Sequence, residues 1–240
     1  MRTYIVARHG ETDYNLERRV QGTLNDSILT YKGISQAASL GVYIAKREEA
    51  ITRTYCSPLQ RCRQTYAAIS GSCNGFGKLL PDPTIIENLK EIELKEWQGR
   101  LREDVMVIDS SNWEIFKKNP CDLRLQNGTF APVLDCFQRA ISTWDYIRTE
   151  TASNNDDVVF IMSHGAIGQC MILHALGLDR KEYGKCRRYA LDNCECFEIE
   201  WADDSEYSSR WRKIDSSQAE LDWQSTYSAH LLSGTLTSSR

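Results

Sequence analysis

The 240-residue sequence lacks several features that would by themselves assign a chain to a class of protein. Its first apolar run, inside MRTYIVARHGET, is too short for the core of a signal peptide or for a membrane span. Its formal net charge of −4 excludes an overall positive field that would attract nucleic acid or an anionic membrane. We therefore expect a cytoplasmic protein without nucleic-acid or membrane partners, in which any anion site is built locally.

Paired cysteine motifs are also missing. The nine cysteines include no CxxC spacing, and an odd number in a chain expected to be cytoplasmic is typical of reduced thiols. Cys194 and Cys196 form only a Cys-x-Cys, which lacks the further ligands that a tetrahedral metal site needs. The sequence therefore predicts no disulfide framework, no bound metal and no cofactor.

Short apolar runs alternate with helical patterns along most of the chain. The β-prone runs cover residues 3 to 7, 51 to 56, 84 to 86 and 158 to 162. Helical spacing follows over residues 30 to 50, from Ser57 onward and over residues 166 to 178, and Ser57-Pro58 is interpreted as a cap and first helical residue. This alternation predicts an α/β fold with parallel strands.

The remaining segments complete the predicted organisation as one domain over residues 1 to 214. Residues 70 to 77 are predicted to be a loop, and residues 195 to 201 alternate like a half-exposed strand. Two helical patterns, 105 to 118 and 133 to 148, are interpreted as a helical insertion over the sheet, occupying about residues 100 to 150. Residues 215 to 240 are predicted to be a loosely ordered tail.

Two of the four histidines, His9 and His164, stand at equivalent places in the pattern. Each directly follows an apolar strand and directly precedes a glycine. A single histidine beside a strand is more often structural, but two in the same context are harder to attribute to chance. Because the carboxyl ends of parallel strands meet at one edge of a sheet, both are expected in the crevice at that edge.

Two arginines accompany these histidines. Arg8 precedes His9, and Arg61 falls in the first turn of the helix expected at Ser57, where free backbone N–H groups favour an anion. Judged alone, Arg61 is equally consistent with a solvated helix face. Since arginine forks bind phosphoryl oxygens bidentately, the set predicts a phosphoryl-binding site. Residues 87 to 99 carry four glutamates, one of which could protonate a departing alkoxide there.

Five blocks of residues, in this order along the chain, resemble the histidine phosphatase superfamily, also called the phosphoglycerate mutase-like family. The blocks are Arg8-His9-Gly10-Glu11-Thr12 with Asn15, Leu29-Thr30 with Gly33 and Gln36-Ala37, Ser57-Pro58-Leu59 with Arg61 and Thr65, Leu89 and Glu91 with Trp97 and Gly99, and Ser163-His164-Gly165. The resemblance extends from residue 3 to about residue 175. It implies a three-layer α/β/α sandwich with a mostly parallel central sheet and a helical cap.

The resemblance also implies roles for the matched residues. His9 would be the nucleophile that forms a phosphohistidine, and Glu91 the proton donor. Arg8, Arg61 and His164 would bind the transferring phosphoryl group. Substrate-binding candidates are Asn15, Gln21, Gly22 and Ala166. Neutral imidazole is a competent nucleophile, and fixed donors stabilise the transition state without a metal.

Several positions depart from the common family pattern and leave the substrate open. Tyr14, Lys95, Thr129-Phe130 and Gln169 stand where Trp, Gly, a Glu-Ser pair and Arg are frequent. In the insertion, the basic residues Lys117, Lys118 and Arg124 either contact a substrate carboxylate or second phosphate or lie on a solvated face.

Three functions fit the motifs. The leading hypothesis is a phosphomonoesterase acting on a small phosphorylated metabolite, and the alternative is a phosphoglycerate mutase. Hydrolysis is favoured because the interval between Glu91 and His164 is short for a closed cap, and Leu94 stands where such mutases have Tyr. A non-catalytic phosphate-binding protein would be expected to have lost one of the catalytic positions, and all are present. The sequence leaves the oligomeric state open.

Overall fold

The computed structural model describes residues 1–152, 157–202, 206–208 and 210–215. The segment predicted to be a loosely ordered tail lies outside the described residues, apart from Asp215. Within the described ranges, no helix has the length and apolar character needed to cross a membrane.

One mixed sheet of six strands is formed by the described residues. Its strands are β1 Arg2–Arg8, β2 Arg53–Cys56, β3 Thr84–Ile85, β4 Val158–Ser163, β5 Cys196–Trp201 and β6 Arg210–Ile214. The spatial order is β3-β2-β4-β1-β5-β6. The strands from β3 to β1 are parallel to their neighbours, β5 is antiparallel to β1, and β6 is antiparallel to β5. Arg8 at the end of β1 is in register with Ser163 at the end of β4. The residues that follow these two strands are therefore neighbours at one edge of the sheet.

Helices cover both faces of this sheet. They are α1 Asp13–Leu16, α2 Tyr31–Ala45, α3 Gln60–Gly75, α4 Arg102–Ile108, α5 Ser110–Lys118, α6 Pro132–Glu150 and α7 Gly165–Ala175. Alternate residues of a strand point to opposite faces. Tyr4 and Val6 accordingly join the core beneath α6 and α7, whereas Ile5 and Ala7 join the core beneath α2 and α3. The predicted three-layer α/β/α sandwich with a mostly parallel sheet is confirmed.

The third helix differs from the prediction at both ends. It begins at Gln60 with Leu59 as the N-cap, so the interpretation of Ser57-Pro58 as cap and first helical residue is wrong. It also continues to Gly75 through the segment predicted to be a loop. Packing against α2 explains the extension, because buried Cys73 donates through Sγ to the Gly41 carbonyl 3.2 Å away. This tertiary contact outweighs the loop-forming composition of the segment.

The prediction of a half-exposed strand near residue 195 is wrong as well. In β5 only Glu200 is exposed, because β6, which the sequence pattern did not predict, pairs along its outer edge. The inward glutamate Glu198 is buried and accepts hydrogen bonds from Tyr43, Arg47 and Arg212. These neutralising partners, which come from distant parts of the chain, permit a charged residue where the alternation indicated solvent.

Candidate active site

A cleft of about 230 Å³ opens at the carboxyl ends of β1 and β4. Most of the predicted site residues line it: Arg8, His9, Asn15, Gln21, Gly22, Arg61 and Glu91. The other residues of its wall are Arg19, Val20, Ile92, Leu94, Trp97, Arg102, Trp113 and Phe116. Of the remaining predicted residues, His164 and Ala166 contact the lining residues instead of forming the wall. One edge of the sheet thus brings together residues that are far apart in sequence.

The protonation of His9 follows from a single hydrogen bond. Its Nδ1 lies 2.8 Å from the Gly10 carbonyl oxygen, and because a carbonyl oxygen only accepts, Nδ1 carries the proton. Nε2 therefore keeps its lone pair, and none of the described residues hydrogen-bonds to it. Burial, with the added charges of Arg61 and Arg8, holds the pKa of His9 well below its ordinary value. The imidazole is thus neutral at pH 7, with a bare nitrogen.

His164 is held in the opposite tautomer. Its Nδ1 accepts from Arg61 Nε at 3.1 Å, so its proton lies on Nε2, which donates to Ser57 Oγ at 2.7 Å. The ring centroid lies 5.2 Å from that of His9. Burial, and after it the positive charges of Arg61 and Arg8, lower the pKa of His164 as well. His164 therefore contributes a neutral hydrogen-bonding ring instead of a cation.

Arg61 is the most constrained cation of the cleft, with 1% of its surface exposed. It donates to the carbonyls of Leu24 at 2.8 Å and Gly22 at 2.7 Å, in addition to its bond to His164. A guanidinium has five N–H groups, so these contacts fix its plane and leave two donors for a ligand. A buried arginine with fixed orientation is suited to stabilising an oxyanion, because it needs no reorganisation.

Arg8 presents a second donor to the same space. Its Nη1 donates to the Leu191 carbonyl at 2.9 Å, while its buried Nε has no hydrogen-bond partner within the described part of the chain. Because Arg8 lines the cleft, the guanidinium donors that the protein leaves unused are available to a ligand with oxygen atoms. Nearby, Asn193 donates to the His9 carbonyl at 3.0 Å and to Asn15 Oδ1 at 3.3 Å, a role that the sequence patterns did not indicate.

Glu91 is positioned by the amino terminus of α7. Its carboxylate accepts from the backbone N–H groups of Ala166 at 3.1 Å and Ile167 at 3.2 Å, and from its neighbour Ile92 at 2.8 Å. Ala166 was predicted to contact substrate. In the structure its backbone N–H holds the Glu91 carboxylate, which lines the cleft. A helix amino terminus is a favourable place for a carboxylate.

The loop containing Gln21 and Gly22 forms part of the cleft wall. Gly22 has a φ of +54°, and a Cβ there would lie 1.9 Å from Gln98 Oε1. That same oxygen accepts from the backbone N–H groups of Thr23 at 2.7 Å and Leu94 at 3.2 Å. Glycine is therefore required at position 22 for both its backbone conformation and its close approach. The Gly22 carbonyl in turn orients Arg61.

Three basic residues considered for substrate contact lie elsewhere. Lys117 and Lys118 pair with Glu114 at 2.5 and 3.3 Å, and Arg124 donates to the Leu123 carbonyl at 2.8 Å. None of the three lines the described cleft, so their interpretation as a clamp over it is not supported by their contacts. Arg19 and Arg102 line the cleft instead, although the sequence patterns pointed to neither.

Two departures from the family pattern contact one another. Lys95 adopts a φ of +42°, a conformation that favours glycine, and its Nζ lies 4.5 Å from the centroid of the Phe130 ring. Lys95 also pairs with Glu93 at 2.7 Å. Neither Lys95 nor Phe130 lines the cleft, so the substitutions alter the support of the cap and not the wall of the site.

Across the described ranges, no group of three or more His, Cys, Asp or Glu side chains is placed to hold a metal.

Comparison with known proteins identifies the family. The family model of the histidine phosphatase superfamily (branch 1) matches residues 4–214. A 2-carboxy-D-arabinitol-1-phosphatase of Triticum aestivum is 28% identical over 190 residues, which are 79% of this chain and 35% of that protein. The chain thus spans about a third of the length of the first curated relatives that it matches. A probable phosphoglycerate mutase GpmB of Escherichia fergusonii is 28% identical over 88% of this chain and 90% of its own.

Solved structures share the fold. Bacillus stearothermophilus YhfR superposes with a TM-score of 0.71 at 25% identity, covering 87% of this chain and 94% of that one. A phosphoserine phosphatase of Entamoeba histolytica, solved in complex with 3-phosphoglyceric acid, gives a TM-score of 0.68 at 24% identity, over 90% of this chain and 99% of that one.

Proposed function

The chain belongs to branch 1 of the histidine phosphatase superfamily, and on this premise we propose that it is a phosphomonoesterase acting through a phosphohistidine at His9. Its substrate is a small phosphorylated metabolite, in keeping with the size of the cleft. The observation that carries the proposal is the neutral imidazole of His9 with its bare Nε2, next to the free donors of Arg8 and Arg61. Phosphoryl transfer requires a nucleophile and, in the same cleft, fixed donors that stabilise the oxyanion.

In the first step His9 Nε2 attacks phosphorus, the P–N bond forms and the P–O bond to the leaving group breaks. Arg8 and Arg61 donate to the equatorial oxygens, whose charge is spread through the transition state. Glu91, in its protonated form, gives its proton to the departing oxygen. The phosphohistidine and a neutral alcohol result.

In the second step water attacks the phosphohistidine and Glu91, now a carboxylate, takes its proton. The P–N bond breaks, inorganic phosphate leaves and neutral His9 is restored. The backbone N–H groups that hold Glu91 keep the carboxylate in place for both proton transfers. No metal is needed for either step, because the arginine donors and His9 supply the charge stabilisation and the nucleophile.

Two features favour hydrolysis over transfer of the phosphoryl group to a second hydroxyl. Lys117 and Lys118 are occupied by Glu114, so they supply no basic clamp that would close over a bound glycerate. Leu94, which lines the cleft, offers no hydroxyl to hold such a ligand. The second candidate, a phosphoglycerate mutase, is favoured by the likeness to the GpmB relatives over most of both chains.

One preparation tests both functions. Phosphorylated sugars, glycerates, nucleotides and phosphopeptides are screened for release of inorganic phosphate, and conversion of 3-phosphoglycerate to 2-phosphoglycerate is followed with a bisphosphoglycerate primer. The proposal predicts phosphate release that vanishes in His9→Ala. Efficient interconversion, at a kcat/KM of roughly 10⁴ M⁻¹s⁻¹ or more with little phosphate released, would establish the mutase instead.

A further inference from the structure

The turn that precedes β5, residues 191 to 194, contacts the end of β1. The Leu191 carbonyl accepts from Arg8 Nη1 at 2.9 Å. The backbone N–H of Cys194, which adopts a φ of +58°, is shared between the carbonyls of Arg8 at 3.2 Å and His9 at 3.3 Å. The turn therefore holds the proposed nucleophile and the arginine beside it, in addition to the sheet that carries both.

A buried carboxylate fixes the shape of this turn. Glu195 is 8% exposed and accepts through Oε2 from the backbone N–H of Asp192 at 2.6 Å. The same oxygen pairs with Lys213 of β6 at 2.7 Å. A carboxylate that binds both a cation and a backbone N–H is held more strongly than one in neutral hydrogen bonds alone. Strand β6 thus stabilises a turn that reaches the site.

Asn193, inside this turn, bridges two residues of the site. Its Nδ2 donates to the His9 carbonyl at 3.0 Å and to Asn15 Oδ1 at 3.3 Å. Because a carbonyl oxygen only accepts, the nitrogen of the Asn193 amide faces His9, and its two N–H groups are both used in the bridge. Asn193 does not line the described cleft, so its effect on a ligand passes through these two partners.

The orientation of the Asn15 amide follows from its neighbours. Asn15 Oδ1 accepts from the backbone N–H of Thr12 at 3.2 Å as well as from Asn193. Since both partners donate, the oxygen of the amide faces them and the nitrogen is on the other side. No residue that the structure describes accepts a hydrogen bond from Asn15 Nδ2, and Asn15 lines the cleft. The amide therefore has two N–H groups available to an oxyanion.

We propose that Asn193 is a positioning residue, which ties the Asn15 amide to the backbone of His9 so that the Asn15 N–H groups meet the oxygens of the phosphoryl group. This inference rests on the proposed function, because it takes the place of the phosphoryl group from the attack by His9. The bridge keeps the distance between nucleophile and donor fixed while the ligand binds. Preorganised donors of this kind need no rearrangement when charge develops on the oxygens.

A double-mutant cycle on ligand affinity tests the bridge. Calorimetry measures the binding of orthovanadate, which can adopt the trigonal bipyramid of phosphoryl transfer and requires no turnover. Asn193→Ala is expected to weaken binding about tenfold, as for the loss of a neutral hydrogen-bonded support. In the Asn15→Ala background the same substitution is expected to change the affinity by no more than about twofold, because the donors that Asn193 positions are already gone.

Two further variants separate the hydrogen bonds of Asn193 from its bulk. Asn193→Asp keeps the shape of the side chain but has no N–H group, so it is expected to weaken vanadate binding at least as much as Asn193→Ala. Asp192→Ala is the matched control in the same turn, because the Asp192 side chain is 70% exposed and its ion pair is with Arg187 at 3.8 Å. This control keeps the backbone N–H that donates to Glu195 and is expected to bind vanadate within about twofold of the parent.

The outcomes separate this inference from the proposed function. An equal loss of affinity in both backgrounds, parental affinity in Asn193→Asp, or an equal loss in Asp192→Ala would overturn the role of Asn193. A parent that binds no vanadate would overturn it as well. Phosphate release from p-nitrophenyl phosphate is measured separately. Coupled vanadate binding without that release would remove the phosphatase and support the bridge, whereas release with uncoupled variants would support the phosphatase and remove only the bridge.

Discussion

Arg61 Nε lies 3.1 Å from Nδ1 of His164, and this contact fixes the protonation of the second histidine. An arginine only donates, so the proton of His164 is on Nε2, whereas that of His9 is on Nδ1. The two rings are thus neutral and of opposite tautomer, with centroids 5.2 Å apart. The arrangement keeps His9 available for attack while His164 ties Arg61 to Ser57.

Ser57 is the first residue whose substitution tests this arrangement. Ser57→Ala leaves the buried N–H of His164 without its acceptor, a loss that costs about 1–3 kcal/mol of unfolding free energy. Because His164 then no longer holds Arg61 in one orientation, kcat is expected to fall about tenfold. Denaturant unfolding and steady-state kinetics measure both quantities. Parental stability and turnover in Ser57→Ala would show that this hydrogen bond does not support the site.

The buried histidines also predict how stability depends on pH. The pKa values of His9 and His164 lie well below the ordinary value of 6.5 in the folded chain because both rings are buried, so below pH 6.5 the unfolded chain takes up protons that the native chain does not. The stabilisation is complete above pH 6.5 and is lost as the pH falls, with each histidine contributing a slope that approaches about 1.4 kcal/mol per pH unit. Urea unfolding between pH 7.5 and 5.5 measures this slope.

The variant His164→Gln should reduce that slope to about half, because one of the two titrating groups is removed. Exposed carboxylates titrate mostly below this window, so they contribute little. An unfolding free energy that stays constant from pH 7.5 to 5.5 would contradict the neutral, buried state of the two rings.

Gly22 provides a test of the loop that orients Arg61. Gly22→Ala introduces a Cβ that would collide with Gln98 in a backbone conformation with φ of +54°, so the loop must shift and displace the carbonyl that accepts from Arg61. We expect a stability loss above about 1 kcal/mol, the cost of the conformation alone, together with a large loss of kcat/KM. Gly128→Ala is the matched control, because Gly128 has φ of +88° but nothing within 4 Å of a new Cβ. If both variants lost activity equally, Gly22 would have no special role.

Glu91 is expected to act on the leaving group. Glu91→Gln cannot donate a proton, so kcat for an alkyl phosphate should fall about 10²- to 10⁴-fold. The loss for p-nitrophenyl phosphate should be smaller in the first step, because nitrophenolate departs without protonation. Glu93→Gln serves as control, since Glu93 pairs with Lys95 and lies outside the cleft wall. An equal loss for both substrates would assign Glu91 to positioning instead of acid catalysis.

The parts of the fold and site that depend on neighbouring residues were predictable from the sequence, and the parts that depend on distant contacts were not. The strands ending at Arg8 and Ser163 are local apolar runs, and their parallel pairing brings His9 and His164 together as the sequence predicted. Glu91 stands in a charged segment with no local distinction, and only the family pattern selected it from its neighbours. Its position depends on backbone N–H groups of α7, more than seventy residues away along the chain.

Residues that act through distant contacts were missed for the same reason. Ser57 looked like a helix cap because Ser-Pro is a local signal, but its hydroxyl accepts from His164. In the sequence Arg102 is one of many charges at the start of a helix, and only the folded chain shows that it lines the cleft. In the sequence, Lys117 and Lys118 are equally suitable for substrate contact. In the structure both form ion pairs with Glu114, one turn earlier.

Trapping phosphate on His9 tests the phosphohistidine intermediate directly. The protein is mixed with ³²P-labelled substrate, quenched within one turnover, and the labelled peptide is mapped. A phosphohistidine intermediate predicts an acid-labile, base-stable phosphopeptide that contains His9, absent from His9→Ala and present in Glu93→Gln, whose side chain lies outside the cleft wall. Turnover by His9→Ala near the parental rate, or label on any residue other than His9, would contradict it.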